Sequence, residues 1–504
     1  MLLLALVLGW PQPGRGQSAE DVFPRAQVQA VLTTALTTVL QRHLEVVTPQ
    51  DLALWSLRGL EVLEPALKLE LNAGTLLLSM GERVLGARPV PPQQPGTAPE
   101  AAAQPVAFAL AALYEAAWGA SAAIHQAGPE RMLRSGFEEL FNHLDPYSRY
   151  LTPEEARGAR ARRVGPSGLG LRLAAGRQGA VVVAALGPDG PASRAGLRLG
   201  DRILAIDGTA LANLDLVAAT ALLEGPAETA VSLRVVRAGR RFEILLLRSL
   251  LPPDSVQTER RGDVLWVRVL AFTSTTDSHL AEALGSAFAQ RPPLAGLVLD
   301  LRGNRGGLLG QAVGVAGAFL PGGEVARTGG RHPDSVRIYH ALGPDLAEGV
   351  PMVVLVDGRT ASAAEIVAAD LADRGRAVVV GSASMGKGLI QLVVPLPNGA
   401  ELLVTWSRVL APLGWPVQGL GVLPALCTSL GAEATAQALA ALRGGTAPMA
   451  AALARQRASR APVPASEVAQ LRATCPPAEG RDADTEAARA LLAMPGAYGA
   501  ALRR

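Results

Sequence analysis

Ser362, Lys387 and Gln391 are the residues of this chain whose types and spacing could do hydrolytic chemistry. Ser362 lies in Gly358-Arg359-Thr360-Ala361-Ser362-Ala363-Ala364-Glu365, after the apolar run PMVVLVD and before a helical pattern. The first N–H groups of a helix have no intrahelical partner, and the helix dipole favours negative charge there. That setting suits a nucleophile whose substrate develops an oxyanion. It equally suits an ordinary N-cap, for which Thr360 is the other candidate. A nucleophilic serine needs a base. No GxSxG elbow is present, and the six histidines are dispersed. Of 47 lysines and arginines only Lys68 and Lys387 are lysine. Arginine cannot give up its proton in a protein, whereas a desolvated lysine can become a neutral base. A Ser–Lys pair then works if a third group orients the amine. Gln391 follows in the apolar run LIQLVV, and along a strand residues 387, 389 and 391 share a face. Read by itself, Gln391 also fits an exposed edge-strand position.

Two neighbouring motifs bear on this reading. Gly381-Ser382-Ala383-Ser384-Met385-Gly386-Lys387 has the GxxxxGK form of a phosphate-binding loop. Such a loop next requires Ser or Thr and then a helix. Here Gly388 and a strand pattern follow, which excludes nucleotide binding. Asp300-Leu301-Arg302-Gly303-Asn304-Arg305-Gly306-Gly307 follows another buried-strand pattern. Its paired glycines allow close backbone approach, and their N–H groups could complete an oxyanion hole. An ordinary strand-to-helix turn has the same composition.

The elements that must position these residues form a multidomain α+β pattern. Residues 20–85 read as helices, with Leu52, Leu57, Leu60 and Leu63 at helical spacing. A Pro/Ala/Gln-rich linker or loop spans 87–106, and helical pattern resumes to a stop at Asp145-Pro146-Tyr147-Ser148. From 166 to 250 short β-type runs are separated by Gly, Pro and Asp turns. From 251 to 425 strands and helices alternate, the signature of a mostly parallel sheet covered by helices. Residues 426–504 read as an Ala-rich helical tail.

Composition sets the outer bounds. The 504 residues allow about three domains, and 49% hydrophobic with 18% charged content suits a globular chain with a large core. A net charge of +3 with scattered arginines gives no case for nucleic acid. The histidines lack metal-ligand spacing, so neither a metal nor a cofactor is expected. Residues 1–19 open with an apolar run too short to span a bilayer and read as a signal peptide, cleaved or left as an anchor. Export to the periplasm or another oxidising space would lean Cys427 and Cys475 towards a disulfide tying the tail back.

The ordered motifs resemble the carboxyl-terminal processing (tail-specific) proteases, serine peptidases with a Ser–Lys dyad and an inserted PDZ domain. The resemblance covers about Asp145 to Pro424 and is carried by DPYSRYLTPEE, GLGLRL, GPASRAGLRLGDRILAIDG, LVLDLRGNRGG, GRTASAAEIVA, GKGLIQ and PVQGLGVLP. It implies a PDZ domain at 166–250 and an α/β protease core of the ClpP/crotonase-like type at 251–425; the N-terminal helical region at 20–165 matches it only in type, and the helical tail hardly at all. It assigns Ser362 as nucleophile, Lys387 as base and Gln391 as the group that holds the amine. The 25-residue spacing from Ser362 to Lys387 agrees with it. It puts the oxyanion on the N–H groups of Ala363 and of Gly306 or Gly307. It puts the substrate's C-terminal carboxylate in a nest at Gly168-Leu169-Gly170. Arg305 stands where the family has proline, and Ala425 where it has aspartate. The resemblance implies protein or peptide substrates held by their C-terminal tails. The unusual N-terminal region and tail are candidates for homodimerisation or for an adaptor or activator. The competing reading is an inactive PDZ peptide-binding scaffold on the same fold.

Overall fold

The computed structural model describes residues 22–187 and 190–502, so the expected signal segment at 1–19 lies outside the described residues. The chain divides into two compact units. One runs up to Glu154 and includes Gln391–Thr405; the other holds Glu155–Ile390 and the chain from Trp406 onward.

The first unit opens with α1 (Arg25–Arg42) and α2 (Pro49–Leu63). Thr48 caps α2 through the Asp51 N–H, and Leu52, Leu57 and Leu60 are buried as their spacing requires. The expectation of helices through residue 85 is corrected at this point. The chain forms a meander of β1 (Leu67–Asn72), β2 (Thr75–Met80) and β3 (Arg83–Pro89). Leu67, Leu69 and Leu71 alternate with Lys68, Glu70 and Asn72, a period of two that turns one set of side chains inward. The Pro-rich stretch is shorter than 87–106 in its irregular part, because α3 (Pro99–Ala120) starts within it. Pro99 sits in the first turn, where a missing N–H costs nothing. Then come α4 (Ala122–Asn142) and β4 (Arg149–Leu151). β4 pairs antiparallel with residues 401–403, and Tyr150, Leu402 and Val404 join the core of this unit.

The second unit begins at Glu155, inside α5 (Pro153–Val164), and continues with β5 (Ser167–Gly168). A small β-domain follows: β6 (Leu171–Ala175), β7 (Val181–Leu186), α6 (Pro191–Arg194), β8 (Arg202–Ile206), β9 (Thr209–Ala210), α7 (Leu216–Ala221), β10 (Ala230–Arg237), β11 (Arg240–Leu247) and β12 (Ser249–Leu250). The sheet order is β11-β10-β8-β7-β6, so β6 is an edge strand, and α7 packs beside it.

The larger α/β domain contains β13 (Val256–Arg261), β14 (Val264–Val269), α8 (Thr276–Phe288), β15 (Gly296–Asp300), α9 (Leu309–Gly317), β16 (Gly323–Gly329), β17 (Arg337–Ala341), β18 (Met352–Val356), α10 (Ala363–Asp373), β19 (Val378–Gly381), the start of β20 (Leu389–Pro395), the end of β21 (Glu401–Leu410) and β22 (Leu426–Cys427), the stretch Gln391–Thr405 belonging to the first unit. Its main sheet has the order β13-β14-β15-β18-β19-β22 and is parallel from β14 onward. β18 is buried on both faces. Met352, Val354 and Val356 face one hydrophobic cluster, together with residues of α8, α9 and α10. Val353 and Leu355 face another, filled by α11 (Ala432–Arg443), α14 (Asp482–Leu492) and α15 (Pro495–Leu502). Between them lie α12 (Ala450–Ala458) and α13 (Ala465–Ala473). The helical tail is therefore the second covering layer of the sheet, without which its apolar face would meet water.

Candidate active site

β18 is followed directly by Asp357, whose buried carboxylate organises the turn. Its Oδ1 accepts the N–H groups of Arg359 (3.0 Å), Thr360 (2.9 Å) and Gly303 (3.0 Å). Thr360 spends its hydroxyl on Leu301 O and on Asp357, which leaves the N-cap position of α10 to Ser362. Ser362 has φ 58°, a left-handed backbone that a non-glycine residue adopts only when its surroundings over-determine it. Its side chain is half-buried at the N-terminus of α10. There the Ala363 N–H is one of the first-turn donors without an intrahelical acceptor.

The surroundings that hold Ser362 centre on Glu365, fully buried one turn into α10. Its Oε2 accepts the Ser362 N–H (2.8 Å) and the Lys387 N–H (2.8 Å). Its Oε1 accepts the Gly386 N–H (2.6 Å) and the Ser384 hydroxyl (2.5 Å). One carboxylate oxygen thus binds the backbones of both Ser362 and Lys387. Burial pushes the Glu365 carboxyl above its ordinary range, and these four donors pull the other way. Residue-by-residue reading of the sequence assigned Glu365 no role. The available signal is Ser-x-x-Glu ahead of a helix, in which the glutamate reaches back to the N-cap N–H.

Lys387 lies in an irregular extended segment between β19 and β20, not in the strand itself. No helix follows, as the failed phosphate-loop match requires. The segment is pinned on each side of the lysine. The Met385 N–H donates to Thr360 O (2.9 Å), and the Gly388 N–H to Gln418 Oε1 (2.9 Å). Gly388 tolerates no side chain, because a methyl group there would stand 2.2 Å from Gln418 N. The QGLG sequence after β21 is therefore the bed on which Gly386-Lys387-Gly388 lies. Lys387 is half-buried, and Lys68 is exposed on β1.

The glycine loop approaches from the end of β15. A methyl group on Gly306 would lie 2.8 Å from Ser362 Cβ and 3.0 Å from Ala363 N, so only glycine fits beside the serine. The fully buried Asn304 shapes this loop: Nδ2 donates to Val269 O (2.8 Å), Oδ1 accepts the Gly306 N–H (2.8 Å), and its carbonyl accepts the Ala361 N–H (2.9 Å). The Gly306 N–H is thus committed to Asn304. Gly306 O accepts from the Phe272 N–H (3.1 Å), and a trans peptide then turns the Gly307 N–H to the opposite side. Arg305 is exposed, so Asn304 rather than residue 305 sets the path of the two glycines.

Gln391 belongs to the first unit. Its Nε2 donates to Thr405 Oγ1 (3.2 Å), and Thr405 Oγ1 donates to Asp145 Oδ1 (2.7 Å). Asp145 is the first residue of the DPYS motif. Burial opposes its ionisation. Its bonds with His43, Ser148, Thr405 and the Tyr147 N–H outweigh that and hold its carboxyl well below the usual range.

In the β-domain, Leu169 O accepts from the Ala192 N–H (2.9 Å) and Gly170 O from the Gly187 N–H (2.7 Å). The N–H groups of Gly170 and Leu171, trans to those carbonyls, point away from α6 and Gly187.

Comparison with known proteins agrees with this architecture. Residues 263–426 match peptidase family S41, and residues 182–237 match the PDZ domain. The carboxy-terminal-processing protease of Bartonella bacilliformis is 35% identical over 300 residues, covering 58% of this chain and 69% of the relative. The carboxyl-terminal-processing protease of Synechocystis is 35% identical over 300 residues, with the same coverage of 58% and 69%. Among solved structures, a photosystem II D1 C-terminal processing protease is 30% identical and covers 64% of this chain and 92% of its own, with a TM-score of 0.35. With its Ser362 turn, its Lys387 segment and an inserted PDZ domain, the chain belongs to the carboxyl-terminal-processing proteases of peptidase family S41 and is a serine-type endopeptidase.

Proposed function

We propose that the protein binds the C-terminal tails of unfolded or loosely folded proteins through its PDZ domain and cuts upstream by a Ser–Lys acyl-enzyme mechanism. The tail would add as a strand to the open edge of β6, beside α7, with its carboxylate at Gly168-Leu169-Gly170. Ser362 Oγ attacks the scissile carbonyl, and neutral Lys387 takes its proton and returns it to the leaving amine. The N–H groups of Ala363 and Gly307 receive the oxyanion. Gln391 is the candidate for the group that holds the amine. Water then releases the acyl group. The observation that carries the reading is the single Glu365 oxygen that takes both the Ser362 and the Lys387 N–H. An exported site of action is part of the proposal, supported by the closed disulfide between Cys427 and Cys475.

The test is cleavage of an unfolded protein with an apolar C-terminus, followed by intact mass for wild type, Ser362→Ala and Lys387→Arg. Lys387→Arg keeps the charge and removes only the ability to deprotonate. Wild type should cut and both variants should be silent while binding the tail equally. Turnover by Lys387→Arg would sink the mechanism. Binding without turnover by all three would favour the inactive scaffold.

A further inference from the structure

The segment that follows α13 touches each of the three loops that build the site. Gly358, in the nucleophile turn, donates its N–H to Ala478 O (2.7 Å). Ser382, in the segment leading to Lys387, donates its hydroxyl to Ala478 O (3.0 Å) and accepts the Ala478 N–H (3.1 Å). The Gly480 N–H donates to Oδ2 of Asp357 (3.1 Å), whose Oδ1 holds the Ser362 turn. Arg302, in the oxyanion loop, donates from Nη1 to Arg481 O (2.8 Å). The strap is anchored at both ends. Asp484, in the first turn of α14, accepts the Thr428 hydroxyl (2.6 Å). At the other end Cys475 is joined to Cys427.

The disulfide is buried, with Cys427 5% and Cys475 0% exposed, and a cavity adjoins Cys427. Cys427 lines an apolar cavity of about 320 Å³ formed with Ala434, Ala438 and Ala441 of α11, Met449 and the half-exposed Leu430. Ser429 Oγ lies 3.3 Å from the Cys427 sulfur and 3.4 Å from that of Cys475, placed to donate to a thiolate.

We propose that this disulfide-anchored strap positions the catalytic loops and that its reduction by a dithiol switches the protease down. The reductant's thiolate attacks Cys427 Sγ from the cavity, the bond to Cys475 breaks, and Cys475 leaves as a thiolate beside Ser429. The second thiol of the reductant resolves the mixed disulfide. Two electrons and two protons pass to the protein, and the reductant ends as its own disulfide. The freed strap then no longer fixes Gly358, Ser382 and Arg302 relative to one another. Misplacement of reacting groups lowers turnover steeply.

The proposal rests on the Ser362–Lys387 reading, and its test separates the two. Full-length protein is assayed oxidised, after dithiothreitol, and after reoxidation, with thiols counted by alkylation and mass. Cys427→Ser/Cys475→Ser and Ser382→Ala are assayed beside it. Reduction should lower kcat about tenfold or more, leave KM and tail-peptide binding unchanged, and reverse on reoxidation. The double variant should sit at the reduced level and ignore dithiothreitol. Ser382→Ala, with its disulfide intact, should lose part of kcat. A disulfide that stays closed in excess reductant, or one that opens with kcat unchanged, overturns the switch. Reduced protein that has lost tail binding has unfolded, which also overturns it. Wild type that never cleaves defeats the catalytic reading instead.

Discussion

Two carboxyl groups on α10, Glu365 in the first turn and Asp370 further along, are equally hidden, each 0% exposed, and are used in opposite ways. Glu365 accepts four hydrogen bonds and ties the Ser362 turn to the Lys387 segment. Asp370 meets no hydrogen-bond partner at either oxygen among the described residues. Burial pushes its carboxyl up to about 8, Asp373 and Glu324 add to the rise, and only Arg374 opposes it. Burial alone therefore does not make an acid functional. The donors that converge on it decide whether it can anchor a site as an anion or sits in the core as a neutral polar group.

The largest expected effect comes from Glu365→Gln, which puts an amide NH₂ among N–H donors. It should lower kcat about 100-fold while tail-peptide binding persists. Activity near wild type would break the contrast. Asp370→Asn should leave kcat unchanged and alter the pH dependence of unfolding instead. A carboxyl raised in the folded state favours folding at low pH. That contribution is present below the unfolded pKa of about 4 and is lost as pH rises towards 8, at up to about 1.4 kcal/mol per pH unit. The melting temperature of wild type should therefore fall more than that of Asp370→Asn between pH 5 and pH 8, on the order of several degrees. Parallel curves would show that Asp370 is already ionised. The smallest effect is expected from Ser384→Ala, which removes one of the four donors to Glu365 and the acceptor of the Val422 N–H. It should cost about 1–3 kcal/mol of stability, with turnover reduced less than in Glu365→Gln. A loss as large as that of Glu365→Gln would mean that the Ser384 bond alone fixes the carboxylate.

Much of the fold was legible because its signals are local. Apolar runs marked β15 and β18 as buried, and the turn at Asp145-Pro146 ended the helices. The meander at β1–β3 was also written in the alternation of Leu67, Leu69 and Leu71, but flanking leucines at helical spacing masked it. The catalytic candidates were legible for the same reason, since Ser362, Lys387 and Gln391 each sit in a short motif. Asn304, Gln418 and Asp357 were not, because each acts on a residue that only folding brings near.

By itself the sequence determined the chemistry on offer: a serine at a helix start, a lysine kept in an arginine background, glycines that permit close approach, and two cysteines able to pair. Tertiary structure decided what holds those groups. Glu365 became a clamp because Gly386 and Lys387, a strand away, aim their N–H groups at it. The tail became part of the site because the second face of the sheet needs its helices, which carries the strap from Cys475 to Asp484 beneath the three loops. Such roles depend on contacts between distant segments, where direction and burial matter more than residue type, and no local pattern encodes them.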